Sequence, residues 1–231
     1  MILKQNISQE IEMNKFYINY SSIYNTKIKR LLDLILAIIL LIILSPIYIV
    51  ISLLIVIETG FPIFYKADRG GYNNKTFKIF KFRTMVKDAD KIGGGTTALN
   101  DSRITKVGGF LRKTKLDEIP QLLNIINGSM SFVGPRPELL KYTNQYVGEE
   151  EYILKVRPGI TDYSSIEFIS LDEIVGEENA DDMYEKYVLK KKNKLRIKYA
   201  KEVSFNVDLK IFIKTVSKVI EKSIKVITKK G

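Results

Sequence analysis

An almost unbroken apolar stretch from Leu31 to Ile57 constrains the fold of this chain more than any other feature. A helix needs about 20 consecutive apolar residues to cross the hydrocarbon core of a bilayer. The stretch is longer than that, and its strongly polar or helix-breaking residues are Asp33, Ser45 and Pro46. The sequence therefore predicts a helix that lies in lipid.

Ser45 and Pro46 stand near the middle of this predicted helix. A proline removes one backbone hydrogen bond and bends the helix, and a neighbouring serine hydroxyl can satisfy the carbonyl oxygen that is left free. Asp33 needs a partner at this depth, and Lys29 or Arg30 is within reach at helical spacing. Hydropathy alone favours an ordinary single-pass helix with a kink.

The flanks of the stretch favour a different topology. Because Lys and Arg are enriched on the cytoplasmic side of membrane helices, basic flanks on both sides predict that both ends face the cytoplasm. A helix that breaks at Ser45 and Pro46, dips into one leaflet and returns satisfies this charge pattern. The basic residues are Lys27, Lys29 and Arg30 before the stretch, and Lys66, Arg69, Lys75 and Lys78 after it.

The composition limits the chemistry of the chain. It has no Cys and no His, which excludes disulfides, thiolate or imidazole metal sites, and Ser-His or Cys-His catalysis. Catalysis must use carboxylates, lysines, tyrosines or a metal. The formal net charge of +11 favours polyanionic partners, and phosphate-bearing lipids or nucleotides meet that condition as well as a nucleic acid does.

Two adjacent carboxylates, Asp117 and Glu118, precede a short apolar segment that predicts a helix. Asp117 is expected at the N-cap, with Pro120 in the first turn. Because the start of a helix favours phosphate, one acid suits a nucleophile or base, and the other suits a ligand of Mg²⁺. A capping acid beside a second acid that favours the helix dipole explains the same residues without chemistry.

Rigid arginines are candidates for contacts with substrate phosphates. Arg136 is fixed between two prolines, and Arg157 precedes a third. A rigid guanidinium suits bidentate binding of phosphate, although a structural salt bridge uses the same rigidity. Arg112 lies on a helix that is expected to begin at Asp101, and an ion pair with Glu118 or Asp101 is an equal alternative to substrate binding.

A series of short motifs stands in order along the chain: KRLLD at 29–33, SP at 45–46, FKFRTM at 80–85, DSRIT at 101–105, LDEIPQL at 116–122, MSFVGPRP at 130–137 and RPGIT at 157–161. Together they resemble the bacterial sugar transferases, the monotopic polyprenyl-phosphate phosphoglycosyl transferases that start glycan assembly on an undecaprenyl carrier. The resemblance extends from about Lys27 to about Ile220. One departure follows the last motif, where many members continue with Gly-Trp-Ala-Gln and this chain has DYSSIE at 162–167. We expect selectivity for the sugar or the nucleotide in that segment.

The resemblance implies a reaction and its partners. A sugar-1-phosphate would pass from a UDP-sugar donor to a polyprenyl phosphate acceptor with Mg²⁺, at the cytoplasmic face of the inner membrane. Asp117 is then expected as the nucleophile and Glu118 as a ligand of the metal. The resemblance also adds Arg83 and Arg69 to the candidate phosphate contacts. Membrane lipids are further partners, a nucleic acid is not expected, and a homo-oligomer is left open.

The predicted fold is α+β and helix-dominated, with a small β-hairpin, a re-entrant membrane helix and amphipathic interfacial helices. Pro62–Tyr65 and Thr76–Met85 are the predicted hairpin strands. The last segment carries an apolar stripe with lysines mostly off it, which is typical of a helix in the membrane interface or of one packed on the core. The predicted units are an N-terminal arm at 1–26, a re-entrant membrane helix at 27–58, a cytoplasmic catalytic domain at 59–205 and a basic amphipathic helix at 206–231.

Two other classes of protein fit part of the sequence. A membrane-anchored, non-enzymatic basic module that binds anionic lipid or nucleic acid would use the positive charge without needing Asp117. A structural single-pass protein would tolerate changes at Arg136 and Glu118 alike.

Overall fold

The computed structural model describes residues 19–92, 97, 101–176 and 179–228. Most of the predicted N-terminal arm, the glycine run at 93–95 and the last residues of the chain lie outside this part. The described elements are mainly helical, and their strands form two separate two-stranded sheets. The α+β, helix-dominated prediction is confirmed.

The longest described element is helix α1, Lys29–Thr59, which continues from a π-helical turn at Tyr24–Ile28. By length and composition, this helical segment is able to cross a membrane. The predicted break is not seen, because α1 is continuous through Pro46. The hydroxyl of Ser45 donates to the carbonyl oxygen of Ile42 at 2.8 Å, which is the acceptor that Pro46 leaves without an N–H donor. The re-entrant form of the helix stays a prediction.

The start of α1 is bound to two other helices. Lys29 forms a buried salt bridge with Asp208. The guanidinium of Arg30 donates to the carbonyl oxygens of Ile125 and Ile126. Cations are favourable at the C-terminal end of a helix, where carbonyl groups have no intrahelical partner. Helix α1 therefore holds the end of the helix that contains Ile125.

Asp33 takes a partner other than the predicted ones. One of its carboxylate oxygens accepts a hydrogen bond from the backbone N–H of Phe132 at 3.3 Å. Neither Lys29 nor Arg30 forms a salt bridge with Asp33, because both cations are directed to the groups described above. The predicted ion pair was wrong, since a backbone donor from a distant segment satisfies the carboxylate.

The other end of α1 is also bound to the folded domain. The carboxylate of Glu58 accepts from the backbone N–H groups of Lys106 and Val107, at 2.8 Å for Lys106. Arg83 donates to the carbonyl oxygen of Thr59 at 3.0 Å. Both ends of α1 thus contact one domain.

A β-hairpin follows α1. Strand β1, Phe64–Gly70, pairs antiparallel with β2, Thr76–Phe82, and the paired residues include Tyr65 with Lys81 and Arg69 with Phe77. The first strand was expected to end at Tyr65. It is longer because residues that were predicted to form a turn, including Arg69, pair with β2 instead.

Short helices and a second sheet complete the described fold. In the second sheet, β3, Ser131–Val133, pairs in parallel with β4, Gly159–Thr161. The helices are α2 (Lys106–Thr114), α3 (Gln121–Ile126), α4 (Leu140–Thr143), α5 (Glu151–Leu154), α6 (Tyr163–Glu167), α7 (Leu171–Val175), α8 (Ala180–Met183), α9 (Lys190–Glu202, after a π-helical turn at Tyr184–Leu189) and α10 (Phe205–Thr228), with 3₁₀ turns at Tyr72–Asn74, Ala89–Lys91, Leu116–Glu118 and Gly148–Glu150.

Helix α2 begins later than expected. Its N-cap is Thr105, whose hydroxyl accepts from the N–H of Gly108 at 2.9 Å. Asp101 is not the cap, because its carboxylate binds the guanidinium of Arg103 at 2.6 Å.

Two hydrophobic clusters attach α1 to the domain. The first joins Ala37 to Ile125 of α3 and Met130, which precedes β3. The second joins Ile55 to Leu111 of α2, together with Ile51 and Phe82. Full burial of an aliphatic side chain contributes about 1.5–3 kcal/mol. Both halves of α1 are therefore held by packing as well as by polar contacts.

Helix α10 has one face on the domain and an apolar face outside it. Ile211 is buried, and Lys218 and Lys222 donate to the backbone carbonyl oxygens of Ile166 and Ile169 at 3.3 and 3.2 Å. These two lysines were expected to face outward, but they are bonded to the domain. Exposed apolar residues form the outer face instead: Leu209, Ile213, Val216, Ile220 and Ile224.

Glu138 lies at the centre of a buried polar cluster. Its carboxylate accepts from Arg196 at 2.8 Å and from the hydroxyl of Tyr184. Arg196, on α9, is fully buried and also donates to Asn193 at 2.8 Å. Burial opposes ionisation of Glu138, but Arg196 and then Lys192 outweigh it and lower its pKa to about 2.

We expect Glu138→Gln to destabilise the protein by about 3–5 kcal/mol at neutral pH, because it leaves the buried Arg196 without its carboxylate. The pKa of Glu138 is lower in the folded state than in the unfolded state, where it is about 4.5. Its stabilising contribution is therefore present above about pH 4.5 and is lost as the pH falls toward 2. Unfolding in urea at pH 7 and pH 3 tests this, and the difference between the variant and wild type should narrow at pH 3.

A matched control is Glu149→Gln, which removes the exposed acidic partner of Lys201. It should change stability by less than about 0.5 kcal/mol. Equal stability of Glu138→Gln and wild type at pH 7 would contradict the role given to the cluster.

Candidate active site

Asp117 and Glu118 lie in the 3₁₀ turn Leu116–Glu118, between α2 and α3. Asp117 is not the N-cap of α3, because Pro120 occupies that position and no side chain caps the helix. The predicted capping role of Asp117 was therefore wrong. Asp117 is 5% exposed, and its Oδ1 atom has no hydrogen-bond partner in the described part of the chain. Because a buried carboxylate oxygen without a partner is unfavourable, local stability does not explain this residue.

The charges around Asp117 partly offset the cost of its burial. Burial raises the pKa of Asp117, and the neighbouring Glu118 raises it further. Lys81 opposes this rise most strongly, followed by Lys115 and Arg112. The site thus combines a buried acid with several cations.

Glu118 is bound by cations from two other parts of the chain. Arg136 donates from Nη1 to Oε2 at 3.0 Å and from Nη2 to Oε1, which makes the pair bidentate. Lys81 of β2 donates to Oε1 at 3.1 Å. Burial opposes ionisation of Glu118, but Arg136 and Lys81 outweigh it and hold its pKa well below the ordinary value. Glu118 is therefore ionised and held in one orientation.

Arg136 is held by further contacts on its other side. Its Nη1 atom also donates to the carbonyl oxygen of Ile160 at 2.9 Å, and its backbone N–H is 3.4 Å from a carboxylate oxygen of Asp162. Asp162 is fully buried and accepts from Ser164 and Ser165. The segment that departs from the family pattern thus supports the turn that carries Arg136, and its role in selectivity stays a prediction.

Sequence reasoning missed two residues of this site, Lys81 and Asn124. Asn124 is 1% exposed. Its Oδ1 accepts from the N–H of Phe80 at 2.8 Å, and its Nδ2 donates to the carbonyl oxygen of Lys78 at 2.8 Å. Asn124 therefore fixes α3 against β2, the strand that carries Lys81. The alternation of lysine and phenylalanine in the sequence predicts the strand β2. It does not indicate which of its lysines pairs with Glu118.

Of the other predicted arginines, Arg112 lies near the dyad and Arg83 lies at the end of α1. Arg112 acts on the pKa of Asp117 and donates to the hydroxyls of Thr84, at 3.1 Å, and Thr97. Arg83 is buried and donates to the end of α1 at Thr59. Its Nε and Nη1 atoms have no hydrogen-bond partner among the residues described.

Arg157 and Arg69 have other surroundings. The guanidinium carbon of Arg157 lies 5.3 Å from the centroid of the Tyr72 ring. Arg69 is paired with Phe77 in the hairpin, four positions along the strand from the pair that contains Lys81. At about 3.3 Å per residue this is a backbone separation of about 13 Å. The fold brings Arg112 and Arg136 to the dyad but does not bring Arg69 there.

The dyad has donor atoms that fit one Mg²⁺ ion. Mg²⁺ at phosphate sites usually takes one or two carboxylates and completes its shell with waters and substrate phosphates. Oδ1 of Asp117 is free for a cation, whereas both oxygens of Glu118 already accept from Arg136, with Lys81 on Oε1. The described residues contain no group of three or more acidic side chains suited to a metal. A metal here would therefore depend on the phosphates of a substrate.

Comparison of the sequence with known protein families identifies the family of this chain. Residues 24–222 match the family model described as bacterial sugar transferase. This span includes Asp117, Glu118, Lys81 and Arg136. The chain belongs to the bacterial sugar transferase family.

Relatives of this sugar transferase are also named as sugar transferases, and two of the three described here are named for undecaprenyl phosphate. UDP-glucose:undecaprenyl-phosphate glucose-1-phosphate transferase of Escherichia coli (strain K12) is 38% identical over 198 residues, which are 84% of this chain and 40% of that protein. The putative undecaprenyl-phosphate N-acetylgalactosaminyl 1-phosphate transferase of Bacillus subtilis (strain 168) is 38% identical over 147 residues, 62% of this chain and 82% of the relative. The uncharacterized sugar transferase EpsL of the same organism is 37% identical over 193 residues, 84% and 87% respectively. The chain thus spans less than half the length of the first relative.

We expect Arg136→Met to destabilise the transferase by about 3–5 kcal/mol, because the buried carboxylate of Glu118 loses its bidentate partner. Of its two cations in the described structure, Arg136 and Lys81, Glu118 then keeps Lys81. The double variant Arg136→Met/Glu118→Met should be less destabilised than the sum of the two single variants, since it leaves neither Glu118 without Arg136 nor Arg136 without Glu118. A double-mutant cycle from urea unfolding measures this coupling. Additive changes in the free energy of unfolding would show that the two side chains do not stabilise each other.

Proposed function

We propose that this sugar transferase moves a sugar-1-phosphate from a UDP-sugar to a polyprenyl phosphate such as undecaprenyl phosphate, as the first membrane step in assembly of a polysaccharide or glycoconjugate. The observation that carries the proposal is the buried, unpartnered Oδ1 of Asp117 beside Glu118, which Arg136 and Lys81 hold ionised. The family and the names of the relatives support the class of donor and acceptor. The relatives named above differ in their sugar, so the proposal leaves the sugar open.

In the first step, a carboxylate oxygen of Asp117 attacks the phosphorus next to the sugar. A bond forms between that oxygen and phosphorus, the P–O bond to the nucleotide breaks, and UMP leaves with the bonding electrons. An ionised carboxylate needs no general base, which suits a chain without His. The cations nearest Asp117, above all Lys81, favour this ionised form against the effect of burial.

The surrounding cations stabilise the charge of the diphosphate. Arg112 and Arg136 would contact its oxygens, and Glu118 keeps Arg136 and Lys81 in place before substrate arrives. Such prepositioned charges act strongly in a site from which water is largely excluded. Mg²⁺ would further neutralise the diphosphate, and Glu118 would hold it only by exchanging a contact with Arg136 or Lys81 for the metal.

In the second step, a phosphate oxygen of the polyprenyl phosphate attacks the same phosphorus atom. The bond between Asp117 and phosphorus breaks, the carboxylate is restored, and the product is a polyprenyl diphosphate sugar. Because UMP leaves before the acceptor reacts, the kinetics are ping-pong.

Asp117→Asn should lower turnover by about 10⁴-fold or more, because the amide is not a nucleophile. Intact-mass spectrometry of wild-type protein mixed with UDP-sugar alone should show an added sugar phosphate, and the variant should show none. The melting temperature of the variant should equal or exceed that of wild type, since a buried unpartnered charge is removed.

Asp88→Asn is the control, because Asp88 is an exposed acid paired with Lys91. It should keep turnover and the adduct. Near-normal turnover of Asp117→Asn, or an adduct on a different residue, would refute this mechanism while leaving the family assignment intact.

We also propose that α1 is re-entrant and that the domain lies on the cytoplasmic face of the inner membrane. Support comes from the two ends of α1, which contact one domain through Lys29 and Glu58, and from the basic flanks. Residues 38–50 in the middle of α1 are all exposed or half-buried, as expected for a segment surrounded by lipid. The exposed apolar face of α10 would add a second lipid contact.

Single cysteines at Thr26 and Thr76 test this topology, because both threonines are exposed and the chain has no other cysteine. A membrane-impermeant thiol reagent should label both from the same side of the membrane. In the background Ser45→Leu/Pro46→Leu, which removes the cause of the bend, the two cysteines should shift toward labelling from opposite sides. Labelling from opposite sides in the unaltered background would restore the single-pass helix.

A further inference from the structure

Arg136 is held by three consecutive residues around the end of β4. Its Nη1 atom donates to the carbonyl oxygen of Ile160 at 2.9 Å, and its backbone N–H is 3.4 Å from a carboxylate oxygen of Asp162. Between these two residues, the carbonyl oxygen of Thr161 accepts from the N–H of Gly134 at 2.9 Å. The segment thus fixes both the guanidinium of Arg136 and the backbone of its turn, so a shift of the segment would change the direction of the guanidinium.

This segment is attached to helix α10 by a pair of hydroxyl groups. Oγ1 of Thr161 lies 2.7 Å from Oγ1 of Thr215. The hydroxyl of Thr215 also donates to the carbonyl oxygen of Ile211, four residues earlier in the same helix, at 2.8 Å. Because a hydroxyl has a single proton, Thr161 is the donor in the pair and Thr215 is the acceptor. Thr161 is 4% exposed, so its hydroxyl has little access to water as another acceptor.

A lysine gives α10 a second contact next to the same segment. Nζ of Lys218 donates to the carbonyl oxygen of Ile166, in α6, at 3.3 Å. Helix α6 follows directly after Asp162, whose carboxylate caps it by accepting from the N–H of Ser165 at 2.7 Å. Thr215 and Lys218 are three positions apart, so they lie on the same face of α10. This inner face of α10 is therefore bonded both to the end of β4 and to the helix that follows it.

The hydroxyl pair is better suited to fix a position than to add stability. Apolar packing already attaches α10 to the domain, because Ile211 is 1% exposed and belongs to the same hydrophobic cluster as Val133 of β3. Replacing both partners of a buried hydrogen bond by apolar groups of the same shape costs little stability. Apolar contact has no direction, whereas a hydrogen bond is restricted in distance and angle. The pair therefore defines where the end of β4 lies relative to α10.

We propose that Thr215 is a positioning residue for the transfer reaction. Through the hydroxyl of Thr161 it fixes the end of β4, and thereby the direction in which Arg136 presents its guanidinium to the substrate diphosphate. The inference rests on the proposed function, in which Arg136 contacts that diphosphate. Catalysis by a fixed cation depends on its exact placement before the substrate arrives, so a small displacement is costly. Helix α10 is then part of the support of the active site.

The experiment compares Thr215→Val, Thr215→Ser and the control Ser217→Ala in the full-length protein in detergent or nanodiscs. Thr215→Val keeps the shape of the side chain and removes the acceptor, whereas Thr215→Ser keeps the hydroxyl. Ser217 is an exposed residue of the same helix whose hydroxyl also donates to a carbonyl oxygen four residues earlier, that of Ile213, at 3.1 Å. Quenched reactions and intact-mass spectrometry give the rate constant for adduct formation at saturating UDP-sugar, and the KM for UDP-sugar.

Thr215→Val should lower the saturating rate constant by about 5- to 50-fold, because a misdirected cation stabilises the transition state less. The KM for UDP-sugar should change by less than about threefold, since the loss is mainly in the transition state. Thr215→Ser should recover most of the rate, and Ser217→Ala should match wild type. A wild-type rate constant in Thr215→Val would overturn the inference. So would an equal loss in Thr215→Ser, since the hydroxyl would then not be the group that matters.

The partner hydroxyl supplies a reciprocal test, which also covers the case in which Thr215→Val does not fold. Thr161→Val removes the same hydrogen bond and leaves no buried donor without an acceptor, because the hydroxyl of Thr215 still donates to Ile211. It should lower the rate constant as much as Thr215→Val does. The double variant Thr161→Val/Thr215→Val should be no slower than either single variant, because the two hydroxyls act as a unit. Additive losses would contradict the proposed pair.

A measurement without turnover separates this inference from the proposed function. The coupling between Glu118 and Arg136 in the free energy of unfolding is measured in the wild-type background and in the Thr161→Val background. Because that coupling depends on the relative position of the two side chains, it should be weaker in the Thr161→Val background. An unchanged coupling would overturn the positioning role. If the coupling weakens but the protein transfers no sugar phosphate, the proposed function fails and the positioning of Arg136 by Thr215 stands.

Discussion

The buried ion pair between Glu118 and Arg136, joined by Lys81, is the interaction on which the candidate active site depends. It connects three separate parts of the chain: the 3₁₀ turn after α2, the proline-bounded turn after β3, and strand β2. Each charge is removed from water, so each is stable only while its partners are present. The same contacts that hold these segments together also fix the direction of the cations beside Asp117.

The long apolar helix α1 is part of this arrangement. Arg30 binds the carbonyl oxygens at the end of α3, and Asn124 binds the same helix to β2. Helix α3 directly follows the turn that carries the dyad. The position of Asp117 relative to α1 is therefore set by how α1 packs on the domain.

Buried charges in this protein fall into two groups. Glu138 and Arg196 satisfy each other, and their pair stabilises the fold. Asp117 is buried without a direct ionic partner among the described residues, so it reduces stability in the absence of ligand. A charge that is neutralised by a partner within the protein stabilises the fold. A charge without such a partner is available to a substrate, at a cost in stability.

The sequence by itself determined the long apolar helix, the acidic dyad, the absence of histidine and cysteine chemistry, and the family, because hydropathy, composition and ordered motifs are local properties. It did not determine which groups pair. Lys81 and Arg136 reach Glu118 across 37 and 18 residues, and Asp33 meets a backbone N–H 99 residues away. Such contacts depend on strand register and helix packing, which no local pattern specifies. Only the tertiary structure decided that Asp117 is a buried acid with a free oxygen and not a helix cap, because Asp117 lies in a 3₁₀ turn that ends before Pro120, the N-cap of α3.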